Sequence, residues 1–169
     1  MVERAMWNDT FTKLTTSDKN GLIVVWMCQQ DLWFEEMINN RQKSFVSGMA
    51  WSPDGLKICI IYDDGNCIVG SVSGERLWGK DLKHKLHLVC WSPDSKYALF
   101  GTPDGEVRVY DEGGNPLFTI KILCFTREET NNIYNPSSKL AAIEWYEGSK
   151  MHTDDTPPGL CIAYSNGRI

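Results

Sequence analysis

The chain has 169 residues, of which 42% are hydrophobic, and its 17 basic and 22 acidic side chains give a net charge of −5. This balance offers no general electrostatic attraction to nucleic acid or to an anionic membrane, so protein partners are expected. The longest apolar runs have the length of a strand and fall far below the roughly 20 residues that span a bilayer, which argues against direct membrane insertion.

Unit one, residues 1–41, contains four segments of strand length separated by turn-like gaps. The predicted strands are Val2–Trp7, Lys13–Ser17, Gly21–Met27 and Trp33–Ile38. Asn20 and Gly21 fit a tight hairpin, because both central residues of the favoured turn need positive φ and these residue types tolerate it best. Four short strands in succession are the plan of a β-propeller blade.

Units two and three, residues 42–82 and 83–123, repeat this plan. In both units a Trp-Ser-Pro-Asp sequence, at residues 51–54 and 91–94, ends the first strand, because Pro presets a turn φ and cannot donate to a ladder. The strands predicted for unit two are Phe45–Trp51, Leu56–Tyr62, Asn66–Val72 and Glu75–Leu82. Those predicted for unit three are Leu86–Trp91, Lys96–Gly101, Glu106–Asp111 and Pro116–Ile122.

Unit four, residues 124–169, departs from the pattern. Residues 127–139 are polar, and the segment 148–158 lengthens the Trp145 to Gly167 distance to 22 residues, compared with 14 residues in the other units. Both differences predict surface loops. The last residues fall in what the pattern predicts to be a third strand, so we expect part of a blade here.

The repeat itself predicts the fold. One Trp ends the predicted first strand of each unit, and successive Trp residues of this kind lie 44, 40 and 54 residues apart. A period in the low forties is typical of propeller blades. These residues, predicted to be core, are Trp7, Trp51, Trp91 and Trp145. We therefore predict an all-β, incomplete β-propeller of about three four-stranded blades plus part of a fourth. Its end faces lack neighbours, so the chain alone is expected to self-associate.

Six cysteines include no pair at the two-residue spacing of a zinc knuckle. Cys59, Cys67, Cys90 and Cys161 lie inside apolar strand patterns and are predicted to be buried, reduced thiols of a cytosolic protein. The sequence Asn8-Asp9-Thr10 matches a glycosylation sequon but is interpreted as a turn.

Three other groups of residues look like binding or catalytic motifs but fit a structural role better. Residues 74–80 have the Gly-x4-Gly-Lys spacing of a phosphate loop, but Asp81 replaces the magnesium-binding Ser or Thr and the flanks are predicted strands. His84 and His87 would point to opposite sides of an extended connection. A third cluster could bind metal or transfer protons, although a charged loop is favoured; its members are His152, Asp154 and Asp155.

No Ser lies in a Gly-x-Ser-x-Gly elbow and no Cys has a His partner by local signature. We therefore predict no catalytic residue, no cofactor and no metal. The predicted partner contacts are Trp33, Arg41, Arg76 and Trp78, because aromatic and Arg side chains on exposed surface are enriched in binding hot spots. Trp33 and Trp78 lie in or beside fourth strands, the outer and more exposed strands of a blade, and are expected to be the aromatic residues most available to a partner.

The repeat resembles the WD-repeat family in a degenerate form. Its Trp-Asp ending of the third strand is represented by Trp26-Met27, Gly70-Ser71 and Tyr110-Asp111, and the Gly-His before each blade is missing. Longer segments resemble the first propeller of a WD-repeat subunit of the intraflagellar transport A complex. These segments are Lys13–Asp18, Gly21–Met27, Glu35–Arg41, Lys57–Ile60, Ile68–Val72 and Trp78–Leu82.

This resemblance implies a non-enzymatic scaffold in retrograde ciliary transport and in the import of membrane cargo into the cilium. Its implied partners are other subunits of the A complex and ciliary cargo adaptors, and its implied location is the cytoplasm, the ciliary base, the cilium and the axoneme. Tubby-like proteins with N-terminal WD repeats are similar over the same region and would imply a substrate receptor of a ubiquitin ligase. An enzyme with its site on the propeller axis is the third alternative.

Overall fold

The computed structural model describes residues 1–41, 44–120, 139–146, 157–165, 167 and 169. All the regular secondary structure in these residues is β-strand. The strands form three four-stranded antiparallel sheets and one two-stranded sheet. This confirms the predicted all-β fold with three complete blades and part of a fourth. The two loops predicted around residues 127–139 and 148–158 lie largely outside the described residues.

The strands of each sheet are paired in chain order. The first sheet contains β1 (Val2–Asn8), β2 (Lys13–Asp18), β3 (Leu22–Gln29) and β4 (Leu32–Asn40). The second contains β5 (Val46–Trp51), β6 (Lys57–Tyr62), β7 (Asn66–Ser71) and β8 (Arg76–Asp81). The third contains β9 (Leu88–Trp91), β10 (Tyr97–Gly101), β11 (Val107–Asp111) and β12 (Pro116–Ile120), and the last pair is β13 (Leu140–Tyr146) with β14 (Gly159–Tyr164).

The first strands of successive sheets, β1, β5, β9 and β13, lie next to one another, and β4, β8 and β12 form the opposite edge of each four-stranded sheet. Blades around a propeller axis are arranged in this way. The unit boundaries themselves stay predictions, because residues 42–43 and 121–138 between the sheets lie outside the described part of the chain.

The second and third strands of each blade are joined by tight turns that end in Gly. The φ angles of Gly21, Gly65 and Gly105 are 84°, 86° and 87°, a region that favours Gly. Asn20 does not have positive φ, contrary to the prediction that both turn residues would. The Gly21 amide instead donates to the Asp18 carbonyl at 3.3 Å, so a type I turn is followed by one left-handed Gly.

The Ser-Pro-Asp sequences form the same turn in two blades. The Ser52 amide donates to the Lys57 carbonyl at 2.8 Å, and the Lys57 amide donates back to Ser52 Oγ at 2.9 Å. Ser92 and Tyr97 repeat both bonds at 2.8 and 3.0 Å. Because both serines are buried, these bonds satisfy polar groups that water cannot reach.

Three apolar layers lie between the sheets, and β6 contributes to two of them. Ile58 and Ile60 pack toward the first sheet, whereas Cys59 and Ile61 pack toward the third. The strand is buried on both faces because successive side chains point to opposite sides. A third layer joins the third sheet to the last pair through residues that include Leu99, Leu140 and Tyr164.

The Trp residues that end the first strands contact the preceding sheet. Trp51 Nε1 donates to Thr15 Oγ1 at 3.1 Å, and Trp91 Nε1 donates to the Ala50 carbonyl at 3.2 Å. The prediction of a core position is correct for Trp91, which is buried, and wrong for Trp7, which is 52% exposed. On the corresponding face of the first sheet the described chain provides no preceding sheet to cover the ring.

The cysteine predictions hold in part. Cys59 and Cys67 are fully buried and Cys90 is half-buried, and all are free thiols. Cys161 is exposed, contrary to prediction, because alternation along β14 turns it away from the layer in which Leu160 packs. Cys124 lies outside the described residues.

Asn8 confirms the turn interpretation of the sequon. Its side chain is 1% exposed, and Nδ2 donates to the Gly55 carbonyl of the second sheet at 2.8 Å. The nitrogen that a glycan would need is therefore engaged between two blades.

Candidate interaction surface

The four predicted partner residues do not form one surface. Trp33 lies near the start of β4 and Arg41 follows its end. Eight residues at about 3.3 Å each place them roughly 26 Å apart, at opposite ends of the blade. Arg76 and Trp78 lie on β8 in the second sheet. Each residue therefore needs its own structural account.

Arg41 is half-buried and contacts one acidic and one aromatic residue of the second sheet. Its Nη2 lies 3.0 Å from Asp64 Oδ2, and its guanidinium carbon lies 4.9 Å from the centre of the Tyr62 ring. Burial pushes the pKa of Asp64 upward, but hydrogen bonds from Asn66 and Ser44 and the Arg41 charge outweigh burial and leave the pKa below its usual value. Arg41 thus ties the exit of the first sheet to the second.

Arg76 is exposed and folds back on its own strand. Its guanidinium lies over Gly79, in the space that a side chain at position 79 would occupy. The absence of a Cβ at Gly79 is therefore what allows Arg76 to lie against the strand.

Trp78 joins two blades. Its Nε1 donates to the Glu112 carbonyl at 2.7 Å, and its ring packs on Gly114, where a Cβ would come within 3.0 Å of three ring atoms. Lys80 Nζ donates to the Gly114 carbonyl of the same turn at 2.7 Å. The indole is half-buried, so the expectation that it is among the most exposed aromatic residues is wrong. Its partner role stays a prediction.

The contact of Trp78 recurs between the first and second sheets. Met37 occupies the equivalent position on β4, and its sulfur packs on Gly74 in the turn after β7. In both pairs of sheets, therefore, a large side chain of the outermost strand covers a Gly of the following blade.

Trp33 lies on a hairpin that is longer than its counterparts. From Gly21 to Met37 the separation is 16 residues, whereas from Gly65 to Trp78 it is 13. The extra residues extend the pairing of β3 and β4 as far as Gln29 with Leu32, and Gln30 and Asp31 make the turn with φ of 52° and 62°. The β3–β4 hairpin of the first blade therefore extends further than the β7–β8 hairpin of the second blade.

The projecting end carries apolar side chains in water. We define the hairpin-tip surface as Phe11, Leu32, Trp33 and Phe34, which are 40%, 62%, 45% and 48% exposed. Trp33 meets the Trp7 ring edge-on, with centroids 5.6 Å apart. Sequence reasoning identified only Trp33, although the three-residue insertion between repeat-locked positions was a readable signal for the others.

The described residues contain no group of three or more His, Cys, Asp or Glu side chains that could hold a metal ion. His84 and His87 are both exposed in the β8–β9 connection, and the cluster at residues 152–155 lies outside the described part of the chain. The phosphate-loop-like sequence forms the β7–β8 turn and β8, with Lys80 engaged by the third sheet. In the described residues no helix is long and apolar enough to cross a bilayer.

Comparison with known proteins gives one family. The family model described as WDR35/TULP4 N-terminal, a β-propeller domain, matches residues 1–169. WD repeat-containing protein 35 is 49% identical in Rattus norvegicus and 48% in Homo sapiens over 168 residues, which cover 99% of this chain. The chain spans about 14% of the length of these relatives.

Two further comparisons support the fold and a second relative. Tubby-related protein 4 of Mus musculus is 42% identical over 157 residues, which cover 90% of this chain and 10% of that protein. The C-terminal WD40 domain of Sif2 aligns with a TM-score of 0.61 at 16% identity, over 70% of this chain and 36% of that one. At this identity the second match shows the fold alone. The predicted resemblance to WD-repeat propellers is confirmed.

Proposed function

Because the chain belongs to the WDR35/TULP4 N-terminal β-propeller family, we propose that it is a protein-binding propeller segment of an intraflagellar transport A-complex subunit. In this role it acts in retrograde ciliary transport and in the import of membrane cargo into the cilium. Its partners are other A-complex subunits and ciliary cargo adaptors, and it works at the ciliary base, in the cilium and along the axoneme.

The 49% identity that extends over 99% of the chain carries this proposal. The match to the tubby-related protein is weaker in identity and covers less of the chain. Propellers of this family are generally scaffolds rather than catalysts. Consistent with a scaffold, the polar side chains described above hold turns and join blades.

A second function is favoured by one observation. Tubby-related protein 4 matches 90% of the chain at 42% identity, and the resemblance to tubby-like proteins implies a substrate receptor of a ubiquitin ligase. Both candidates use the propeller to bind protein, so the two differ in the complex that the whole protein joins.

Affinity purification of the full-length tagged protein from ciliated cells distinguishes the candidates. We expect stoichiometric A-complex subunits in the eluate and the tagged protein at the ciliary base by immunofluorescence. Recovery of ubiquitin-ligase subunits without A-complex subunits would instead support the receptor function.

A further inference from the structure

We propose that one side of the hairpin-tip surface, formed by Phe11, Leu32 and Phe34, docks a partner segment with an apolar centre flanked by Lys or Arg. This inference rests on the proposed scaffold function and names the chemistry of one partner. It depends on three features of the first blade. Apolar side chains stay exposed although the second sheet lies beside them, the backbone of the β3–β4 hairpin is already ordered, and the exposed charges in these turns are acidic.

The exposure of Leu32 and Phe34 is not explained by a missing neighbour, whereas Trp33 packs on Trp7 on the opposite face, which no described sheet covers. Phe34 pairs with Met27, which pairs with Lys13, and the Lys13 ammonium reaches the Val72 carbonyl of the second sheet at 2.8 Å. Side chains of one cross-strand row share a face, so Phe34 faces the second sheet, and Leu32 does so two residues earlier. Both stay exposed although that sheet is present, because the hairpin extends past it.

Phe11 belongs to the same end and the same side. It lies in the turn between β1 and β2, and its ring packs close to Gly55 of the second sheet. It remains 40% exposed with the second sheet in place. Three apolar side chains from two turns are therefore available on one side of the blade end.

The surface is preformed. The β3–β4 pairing runs without a break from Trp26 to Gln29, and Trp33 is held by its contact with Trp7. A partner would therefore order few rotamers or backbone angles on this side, and aromatic side chains supply large contact area at low entropic cost.

The charge around the tip has one sign. Asp9 and Asp31, in the turns beside Phe11 and Leu32, are exposed, and no ion pair to them occurs among the described residues. The nearest cation in these turns, Lys13, is 9% exposed and lies 2.6 Å from Glu36. Exposed acidic side chains in the turns that carry an apolar centre favour a partner with basic flanks and disfavour a second copy of the same surface, since like charges would meet.

The test uses photo-crosslinking in the purified A complex that contains the full-length protein. A benzoylphenylalanine replaces Leu32 in one variant and Leu77, which is 48% exposed on the outer strand of the second sheet, in the control. We expect Leu32 crosslinks on a partner subunit, in an apolar segment with Lys or Arg within a few residues, and none there from Leu77.

Charge neutralisation supplies an independent readout. Asp9→Asn with Asp31→Asn should lower that crosslink yield about tenfold and reduce its salt dependence, and Asn suits the left-handed φ at position 31. Glu75→Gln with Asp104→Asn, an equal charge change elsewhere, should leave the yield unaltered. Crosslinks confined to this chain, to a second copy or to an acidic segment, or their absence in an intact complex, would overturn the proposal. Failure of the complex to form would count against the proposed function instead.

Discussion

The Trp78 indole nitrogen donates a 2.7 Å hydrogen bond to the Glu112 carbonyl and so fastens the outermost strand of the second blade to a turn of the third. Because the ring is half-buried on Gly114, Trp78→Ala should lower the free energy of unfolding by about 2 kcal/mol. Trp33→Ala should cost less than about 1 kcal/mol, since that side chain is 45% exposed and its ring contact is with Trp7, which is itself 52% exposed. Pulse proteolysis in urea on the full-length protein measures both, and equal losses would contradict this assignment.

Gly114 is the other half of this contact. Its φ is 75° and a Cβ would come within 3.0 Å of the Trp78 ring, so Gly114→Ala should destabilise the propeller by roughly 1–3 kcal/mol. Gly113 is the matched control, because an added Cβ there meets its nearest atoms at 3.4 Å and φ is not positive. A similar urea midpoint for the two Ala variants would show that the contact does not constrain position 114.

The position of Trp78 shows where sequence reasoning reached its limit. The turns after the first strands were predictable because Ser-Pro-Asp encodes them locally. The side to which an outer-strand residue points was not, because each pairing of third and fourth strands contains a bulge, as between Val69 and Gly70. One extra residue shifts the alternation of faces. The exposure of Trp7 depended on a neighbouring sheet, which local patterns do not report.

Asp94 should make part of the stability depend on pH. The hydrogen bond from Ser92 Oγ, at 2.6 Å, is the main reason that the pKa of Asp94 lies below its ordinary value. A folded-state pKa that is depressed adds stability above the unfolded pKa of about 3.9, and that stability is lost as pH falls through the folded value. Asp94→Asn should therefore lower the urea midpoint at pH 7 and have a smaller effect at pH 3. Asp104→Asn, at an exposed loop, is the control, and an Asp94 effect that is independent of pH would contradict the account.

The cysteines should differ in reactivity. Cys161 is exposed, whereas burial is the main cause that raises the pKa of Cys90 to about 12 and also raises the pKa of Cys59. Since the thiolate is the reactive form, maleimide at pH 7.5 should modify Cys161 first and Cys59 only after unfolding. Peptide mapping by mass spectrometry, in a Cys124→Ser background, follows each site. Modification of Cys59 at the rate of Cys161 in the native protein would show that the second blade opens readily.

The 169-residue chain expressed alone should self-associate. On the outer face of the first sheet Trp7, Val2 and Ile38 are 52%, 61% and 58% exposed, and unpaired strand edges act as templates for association. We therefore expect oligomers or aggregates of this chain in sedimentation velocity. Trp7→Ser with Ile38→Ser should reduce the association, while Leu77→Ser, which removes an equally exposed side chain from the second sheet, should not. A monodisperse monomer with one cooperative unfolding transition would show that these blades are stable without covering neighbours.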